Sequence, residues 1–313
     1  MEYLLNDRGR SLITFYSLST GITLIFLVLR FWSRLRFGGV SWDDYFMVIS
    51  WVFFVVLTVL VSILAENGGF NHAYNLDPAQ SQYVLKINYI SRPFGLLPLL
   101  TVKIAVGFLI FRILRGAASK RLVYGLWSLL ALNTLIGILD IIFTFAQCKN
   151  PAALWTPAIQ SQCWSTEVKT VSSVTSASSN VLVDFVLAVT PAVKIWKLKL
   201  SLRKRLGLIA LFGSGLLSVI SASIKTYELA QSTKPQSDPT WAGYSLYAWT
   251  SAEILIIHFC ASIPTYKPLW EGYKAQKHRA TYSNQGYKLP YTTANSYGED
   301  HDMQKLNAST GGI

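Results

Sequence analysis

The chain has 313 residues, of which 51% are hydrophobic and 14% charged, and its formal net charge is +12. Soluble domains carry about 25% charged residues, so this deficit indicates a membrane protein and argues against a soluble domain. A basic excess is also found in nucleic-acid-binding proteins, but the apolar content argues against that class here. In a membrane protein the same excess is typical of cytoplasmic loops. Composition therefore predicts a lipid bilayer as the partner and no nucleic acid.

Seven apolar stretches are long enough to cross a hydrocarbon core, which takes about 20 residues of helix. They are predicted near residues 12–30, 45–65, 85–111, 122–146, 170–193, 206–229 and 246–266. The fifth is the weakest, because residues 172–179 are nearly all Ser, Thr and Ala. It is kept because the rest of the stretch is apolar apart from Asp184 and because the loop charges require a crossing there. The sequence thus predicts an all-α, seven-transmembrane-helix bundle.

The loops between these stretches alternate in charge. Seventeen basic residues fall on one side, in segments 30–44, 112–121, 194–205 and the start of the tail, and six fall on the other. The positive-inside rule places the seventeen in the cytoplasm. Residues 1–11 are then a short extracellular N-terminus, and the polar residues 267–313 are a cytoplasmic tail that is expected to be disordered. The sequence predicts a multi-pass protein of the plasma membrane or an endomembrane and leaves that choice open.

Two of the three cysteines lie together in a predicted external loop. Cys148 and Cys163 follow the fourth stretch, on the side of the membrane that permits disulfides. A bridge between them would close a loop of about 15 residues and contribute roughly 3 kcal/mol to stability. The alternative is two free thiols in a flexible loop. No cysteine pair has the spacing of a zinc site, so no metal site is predicted.

Charged residues inside a membrane are costly, and they mark functional sites by default. Five of them lie in the predicted outer half of the bundle and favour a polar cluster that lines an outward-facing, ligand-binding cavity: Arg92, Asp140, Lys225, Glu228 and Glu253. His258 is a further ligand candidate, although a single histidine on an apolar helix is more often a hydrogen-bonded core residue. The alternative for the whole cluster is a set of ion pairs that fix helix packing.

Four other charges are expected to have structural roles. Lys103 and Asp184 lie deeper toward the cytoplasm and are predicted to pair between the third and fifth helices. Asp43 and Asp44 open the second helix, where carboxylates cap free N–H groups and meet the positive end of the helix dipole. They can also pair with Arg34 or Arg36. Metal binding by the two adjacent carboxylates is less favoured, because no partner ligands lie nearby.

Several short motifs together resemble the fungal rhodopsin-domain proteins, a group that includes Pth-eleven-like receptor-type proteins and SAT-type integral membrane proteins. The resemblance covers roughly residues 25–270. It is carried in chain order by Arg30-Phe31-Trp32-Ser33-Arg34, Trp42-Asp43-Asp44-Tyr45, Gly68-Gly69, Lys103, Phe111-Arg112, Cys148, Pro151, Trp155, Cys163, Asp184, Pro191, Trp196, Lys204, Gly213, Glu253 and Pro264.

The resemblance implies seven helices in the same orientation and little about activity. Some members resemble receptors, and others are associated with secondary-metabolite pathways. No cofactor is predicted, because a retinal Schiff base needs a lysine in the seventh helix of known rhodopsins and residues 246–266 contain none.

Three functions compete. A receptor-like sensor would bind a small molecule in the outer cavity and contact a cytoplasmic protein through loop 194–205. Two motifs of common G-protein-coupled receptors are missing, however. Phe111-Arg112-Ile113 is not their acid–Arg–Tyr triplet, and the seventh helix lacks their Asn-Pro-x-x-Tyr motif.

A membrane-embedded cyclase or isomerase, or an accessory protein of a biosynthetic pathway, would use Glu253 or Asp140 as its acid. A transporter is the least favoured, because no internal repeat is evident. The sequence leaves open whether the protein is an enzyme.

Overall fold

The computed structural model describes residues 7–37, 39–72, 76–113, 119–156, 159, 161–196, 216–217, 219–228 and 239–284. The described chain is helical apart from short connections and one isolated bridge between Cys148 and Cys163. The helices are α1 (Asp7–Phe37), α2 (Trp42–Glu66), α3 (Pro78–Ile113), α4 (Lys120–Ala146), α5 (Thr166–Trp196), α6 (residues 219–228) and α7 (Pro239–Asn284). The prediction of an all-α membrane fold is confirmed.

Six of the described helices are long and apolar enough to cross a membrane. They correspond to every predicted span except 206–229, of which residues 206–215 lie outside the described residues. Large apolar side chains cover their outer faces, for example Ile25 and Val28, each 58% exposed. Such faces are unfavourable in water and are expected against lipid. The orientation of the termini stays a prediction, and residues 1–6 lie outside the described part.

The chain divides into two compact units after Pro268. α7 continues to Asn284, well beyond the predicted end of the last span at residue 266. It therefore includes the first part of the segment that was expected to be a disordered tail. Residues 285–313 lie outside the described residues, so for them disorder stays a prediction.

The buried apolar side chains of the membrane unit form two clusters that share α3. One cluster joins α1, α2, α3 and α7, and the other joins α3, α4 and α5. Two glycines let α3 and α4 approach closely, because a Cβ at Gly107 would lie 2.5 Å from Leu130 Cδ1 and a Cβ at Gly137 would lie 2.8 Å from Leu100 Cδ1. Small residues have this role in membrane helix packing. α3 is therefore the central helix of the described bundle.

The fully buried Arg30 of α1 joins three helices at the predicted cytoplasmic end. Its Nε lies 2.6 Å from Asp44 Oδ1, and its other N–H groups donate to Asp43 Oδ2 and to the carbonyl oxygen of Ala261 on α7. Arg34 also donates to Asp43 Oδ2, at 2.8 Å. Two guanidinium groups therefore neutralise two carboxylates away from solvent, whereas Arg36, the other arginine considered as a partner, is exposed.

The same carboxylates begin α2. Asp44 Oδ2 accepts a hydrogen bond from the backbone N–H of Ser41, at 2.9 Å. Both aspartates lie in the first turn, where a negative charge meets the positive end of the helix dipole. This geometry is the one expected of a capping role. The structure also shows Arg30 as an ion-pair partner of these carboxylates, whereas the sequence places it among the loop charges.

Replacing Arg30 with Gln is expected to lower the free energy of unfolding by about 3–5 kcal/mol, because Asp43 and Asp44 would remain buried with reduced compensation. Thermal unfolding of the detergent-purified protein measures this. Arg36→Gln is the matched control, and as an exposed substitution it should change stability by less than about 0.5 kcal/mol. Equal stability losses in the two variants would contradict the assignment.

Candidate functional site

A cavity of about 440 Å³ lies among α3, α4, α5, α6 and α7. We call it the polar cavity. Its volume is within the range of small-molecule sites. Its wall combines apolar side chains with polar ones, which include Asn88, Arg92, Asp140, Ser173, Ser176, Asn180, Lys225 and Tyr247.

The disulfide lies at the end of α4 that is nearest to this cavity. Cys148 and Cys163 are bonded, which confirms the predicted bridge. The bridge closes the connection between α4 and α5, and Trp164 beside it packs edge-on against Phe143 of α4, with 5.4 Å between ring centroids. The bridge therefore holds together the ends of two helices that line the polar cavity.

Asp140 of α4 reaches the cavity from a buried position. It is 9% exposed, and its Oδ1 accepts hydrogen bonds from the hydroxyls of Ser172 and Ser173 on α5, both at 3.4 Å. Both bonds are long for an O–H···O contact. The carboxylate is thus only weakly satisfied within the described protein and can accept further donors from the cavity.

Arg92 of α3 lines the same cavity and is exposed. Its guanidinium lies over the ring of Tyr89, 4.7 Å from the centroid. Among the described residues it makes no ion pair. The cavity therefore presents a cation and an anion that the described chain does not pair with each other.

Lys225 of α6 lines the cavity and forms an ion pair with Glu253 of α7. Glu253 is fully buried and does not line the cavity. Its Oε2 contacts the ammonium, whereas its Oε1 has no hydrogen-bond partner in the described part of the chain. The pair joins α6 to α7 at the wall of the cavity. Glu253 therefore holds the Lys225 side chain in place without lining the cavity itself.

A polar network closes the cavity on the side of Lys103. Asn180 of α5 lines the cavity, and its Oδ1 and backbone carbonyl each accept a hydrogen bond from Lys103 Nζ at 3.0 Å. Lys103 Nζ also lies 3.1 Å from Asp184 Oδ1, so the structure brings together the two residues that the sequence predicts to pair. Asn133 of α4 donates to the same amide oxygen at 3.4 Å. The deep ion pair is thus linked to the cavity through one amide side chain.

Besides Glu253, two other predicted ligand residues do not line the polar cavity. Glu228 is half-buried on α6 and does not line the polar cavity. His258 is buried, and its Nδ1 lies 2.9 Å from the carbonyl oxygen of Ile254 in its own helix. This contact matches the alternative of a hydrogen-bonded core histidine.

Sequence reasoning misses several polar residues of the wall. Asn88 of α3 accepts a hydrogen bond from the Tyr247 hydroxyl at 3.3 Å, and both residues line the cavity. Asn180 and Ser176 come from α5. The signal for α5 is the run of Ser, Thr and Ala at residues 172–179, which can pack helices closely or line a wet cavity.

The described residues do not favour a retinal site of the known kind. Residues 239–266 of α7 contain no lysine, and the lysine that lines the polar cavity, Lys225, is on α6 and is paired with Glu253. No group of three metal-ligating side chains occurs in the described ranges.

Replacing Lys225 with Gln is expected to lower the free energy of unfolding by about 3–5 kcal/mol, because Glu253 would be left as a buried, unpaired charge. Replacing both partners, as Lys225→Met with Glu253→Leu, should restore most of that loss. Glu228→Gln, three residues along the same helix, is the control and should be nearly neutral. A Lys225→Gln variant as stable as the control would show that the pair does not hold α6 to α7.

Comparison with known proteins places these features in a family. The profile of the fungal rhodopsin domain matches residues 29–272. The chain is 27% identical over 206 residues to fugralins biosynthesis cluster protein 2 of Gibberella zeae, an alignment that covers 63% of this chain and 49% of that protein. It is 21% identical over 206 residues to a SAT4 family membrane protein of Emericella nidulans, which covers 66% of this chain and 50% of that protein.

The chain therefore spans about half the length of the curated relatives it matches. No solved structure matches it. The matched range includes Arg30 with its partners Asp43 and Asp44, the disulfide, and every charged residue that lines the polar cavity. The protein is a multi-pass membrane protein that belongs to the fungal rhodopsin domain family.

Proposed function

We propose that this protein is a receptor-like sensor that binds a small molecule in the polar cavity. The observation that carries the proposal is the cavity itself, whose volume of about 440 Å³ suits a small ligand and whose wall holds incompletely satisfied polar groups. The buried Asp140 carboxylate accepts long hydrogen bonds, both of 3.4 Å, from Ser172 and Ser173. Such a weakly satisfied buried group is costly, and a ligand can supply a better partner.

The contacts of α7 support a route from the cavity to the predicted cytoplasmic end. Tyr247 and Thr250 line the cavity, and Glu253 pairs with Lys225 one turn farther along. Beyond it on the same helix, the Ala261 carbonyl accepts from Arg30, and the Thr265 carbonyl accepts from Ser33 at 2.6 Å. A ligand that shifts α7 would therefore disturb contacts with α1. Loop 194–205 is the proposed docking site for a cytoplasmic partner, and its residues 197–205 lie outside the described part.

A membrane-embedded enzyme or pathway accessory is the second candidate. Asp140 favours it, because a carboxyl group with weak internal partners at the cavity wall can act as a general acid. Glu253 is less suited to that role, since it is paired with Lys225 and does not line the cavity. The name of the Gibberella zeae relative places that relative in a biosynthesis cluster, which adds support for a pathway role.

Gly95→Trp is expected to abolish ligand binding, because Gly95 lines the cavity and an indole at this position would occupy the space that a ligand needs. The substitution has room at its base, since a Cβ at Gly95 would lie 3.9 Å from Thr250 Cγ2. Gly125→Trp is the control, since Gly125 lies exposed on α4 with no atom within 4 Å of a Cβ.

Organic extracts of cultured filamentous fungi would be screened by thermal stabilisation of the purified protein. A fraction that stabilises the wild type and Gly125→Trp but not Gly95→Trp is the expected result. Equal stabilisation of all three would place binding outside the cavity.

The fate of the bound compound separates sensor from enzyme. After prolonged incubation with the purified protein, a sensor should release the compound with unchanged mass and chromatographic retention. Conversion by the wild type that is lost in Asp140→Asn, while binding is kept, would favour the enzyme and contradict the sensor.

A further inference from the structure

We propose that the ligand of the polar cavity is an amphipathic carboxylic acid, a singly charged anionic head on an apolar body, and that Arg92 receives the carboxylate. This inference deepens the proposed function and rests on it.

The charges of the membrane unit support an anionic head. Four other cations of the membrane unit have carboxylate partners: Arg30 and Arg34 pair with Asp43 and Asp44, Lys103 with Asp184, and Lys225 with Glu253. Arg92 lies over the ring of Tyr89 and makes no ion pair among the described residues. A guanidinium can bind a carboxylate through two parallel N–H···O bonds. Arg92 is therefore the cation that the cavity offers to a ligand.

Asp140 limits the charge of that ligand. Its carboxylate lines the same cavity and is near enough to interact electrostatically with Arg92 without forming an ion pair. A doubly charged head such as a phosphate monoester would be repelled by Asp140 more strongly than a monoanion would. Because a dianion also costs more to remove from water and Arg92 carries a single positive charge, the cavity favours a monoanionic head such as a carboxylate over a phosphate.

The position of Arg92 along α3 favours an amphipathic molecule. Arg92 precedes Phe111 by 19 residues, which is about 29 Å of helix at 1.5 Å per residue. A hydrocarbon core is about 30 Å thick. If Phe111 marks the predicted cytoplasmic boundary, Arg92 lies at the opposite one, at the depth of a polar head group. The same wall includes the apolar side chains of Pro93, Leu96 and Leu246, which suit an aliphatic or aromatic body.

The test compares matched probes with one chain and different heads. The full-length protein is placed in nanodiscs of neutral phosphatidylcholine, and equilibrium binding of tritiated decanoate, decanol and decyltrimethylammonium is measured after subtraction of empty nanodiscs. Decanoate is expected to bind at least about tenfold more tightly than decanol, because it gains charge-assisted hydrogen bonds to Arg92. Arg92→Gln should remove this preference, and Arg92→Lys should keep part of it.

Lys86→Gln is the control variant, because Lys86 is an exposed cation on the same helix that does not line the cavity. It should bind the three probes as the wild type does. Equal binding of decanoate and decanol, a preference for decyltrimethylammonium, or a decanoate preference that survives in Arg92→Gln would each overturn the assignment of an anionic head.

Two further measurements complete the test. One asks whether the anion bound at Arg92 is a lipid head group, and the other distinguishes failure of this inference from failure of the proposed function. Adding anionic phosphatidylglycerol to the nanodiscs should leave decanoate binding unchanged; loss of binding would mean that a lipid head group occupies Arg92 and would overturn the inference. Gly95→Trp should abolish binding of decanoate and decanol alike. If it does so while the two probes bind equally well to the wild type, the cavity remains the ligand site and only its preference for acids is refuted.

Discussion

The structure depends on the cost of an unpaired charge inside a membrane. Each buried cation of the described bundle is matched by carboxylates on a neighbouring helix, and these matches determine which helices lie side by side. Arg30 joins α1 to the first turn of α2 and to α7, Lys103 joins α3 to α5, and Lys225 joins α6 to α7. Apolar packing alone discriminates weakly among helices in lipid, because the lipid tails are as apolar as the side chains. The ion pairs therefore supply much of the specificity of the arrangement, and α7 is the helix that takes part at both ends.

The polar cavity lies in the part of the bundle where small side chains, rather than ion pairs, face the space between the helices. On α5, Ser173, Ser176 and Ala177 face the cavity, and Gly95 and Gly243 face it from α3 and α7. These residues are too small to fill the space between the helices, and the ion pairs and the disulfide fix the helices around that space. In the other part of the bundle, larger side chains pack against α3, namely Leu126, Leu130 and Leu187. The protein thus combines a tightly packed half with a half that can admit a molecule, and Arg92 and Asp140 lie in the second half.

Much of the fold can be predicted from the sequence, because hydrophobic length and loop charge are local properties of the chain. The depth of a charge can be counted from a loop edge, which is why the pairing of Lys103 with Asp184 is predictable. The direction in which a side chain points around the helix axis cannot be obtained by such counting. Lys225 and Glu228 are three residues apart, yet only Lys225 lines the cavity, because neighbouring helices decide which face is inside. Arg30 resembles a loop charge in the sequence since it ends an apolar stretch, although its partners bury it completely. Asn88 and Asn180 carry no signal in the sequence that separates a cavity wall from an interhelical hydrogen bond.

The most direct measurement is the accessibility of the cavity wall from the disulfide side of the membrane. In a Cys260→Ser background, Thr250→Cys places a thiol in the polar cavity, whereas Leu132→Cys places one on the outer face of α4, where Leu132 is 55% exposed. Intact cells that display the protein at their surface would be treated with a charged, membrane-impermeant methanethiosulfonate. Rapid modification of the thiol at position 250, with none at position 132, is the predicted result. Modification at position 250 only after the cells are permeabilised, or not at all, would contradict a water-accessible cavity that opens on the same side as the Cys148–Cys163 bridge.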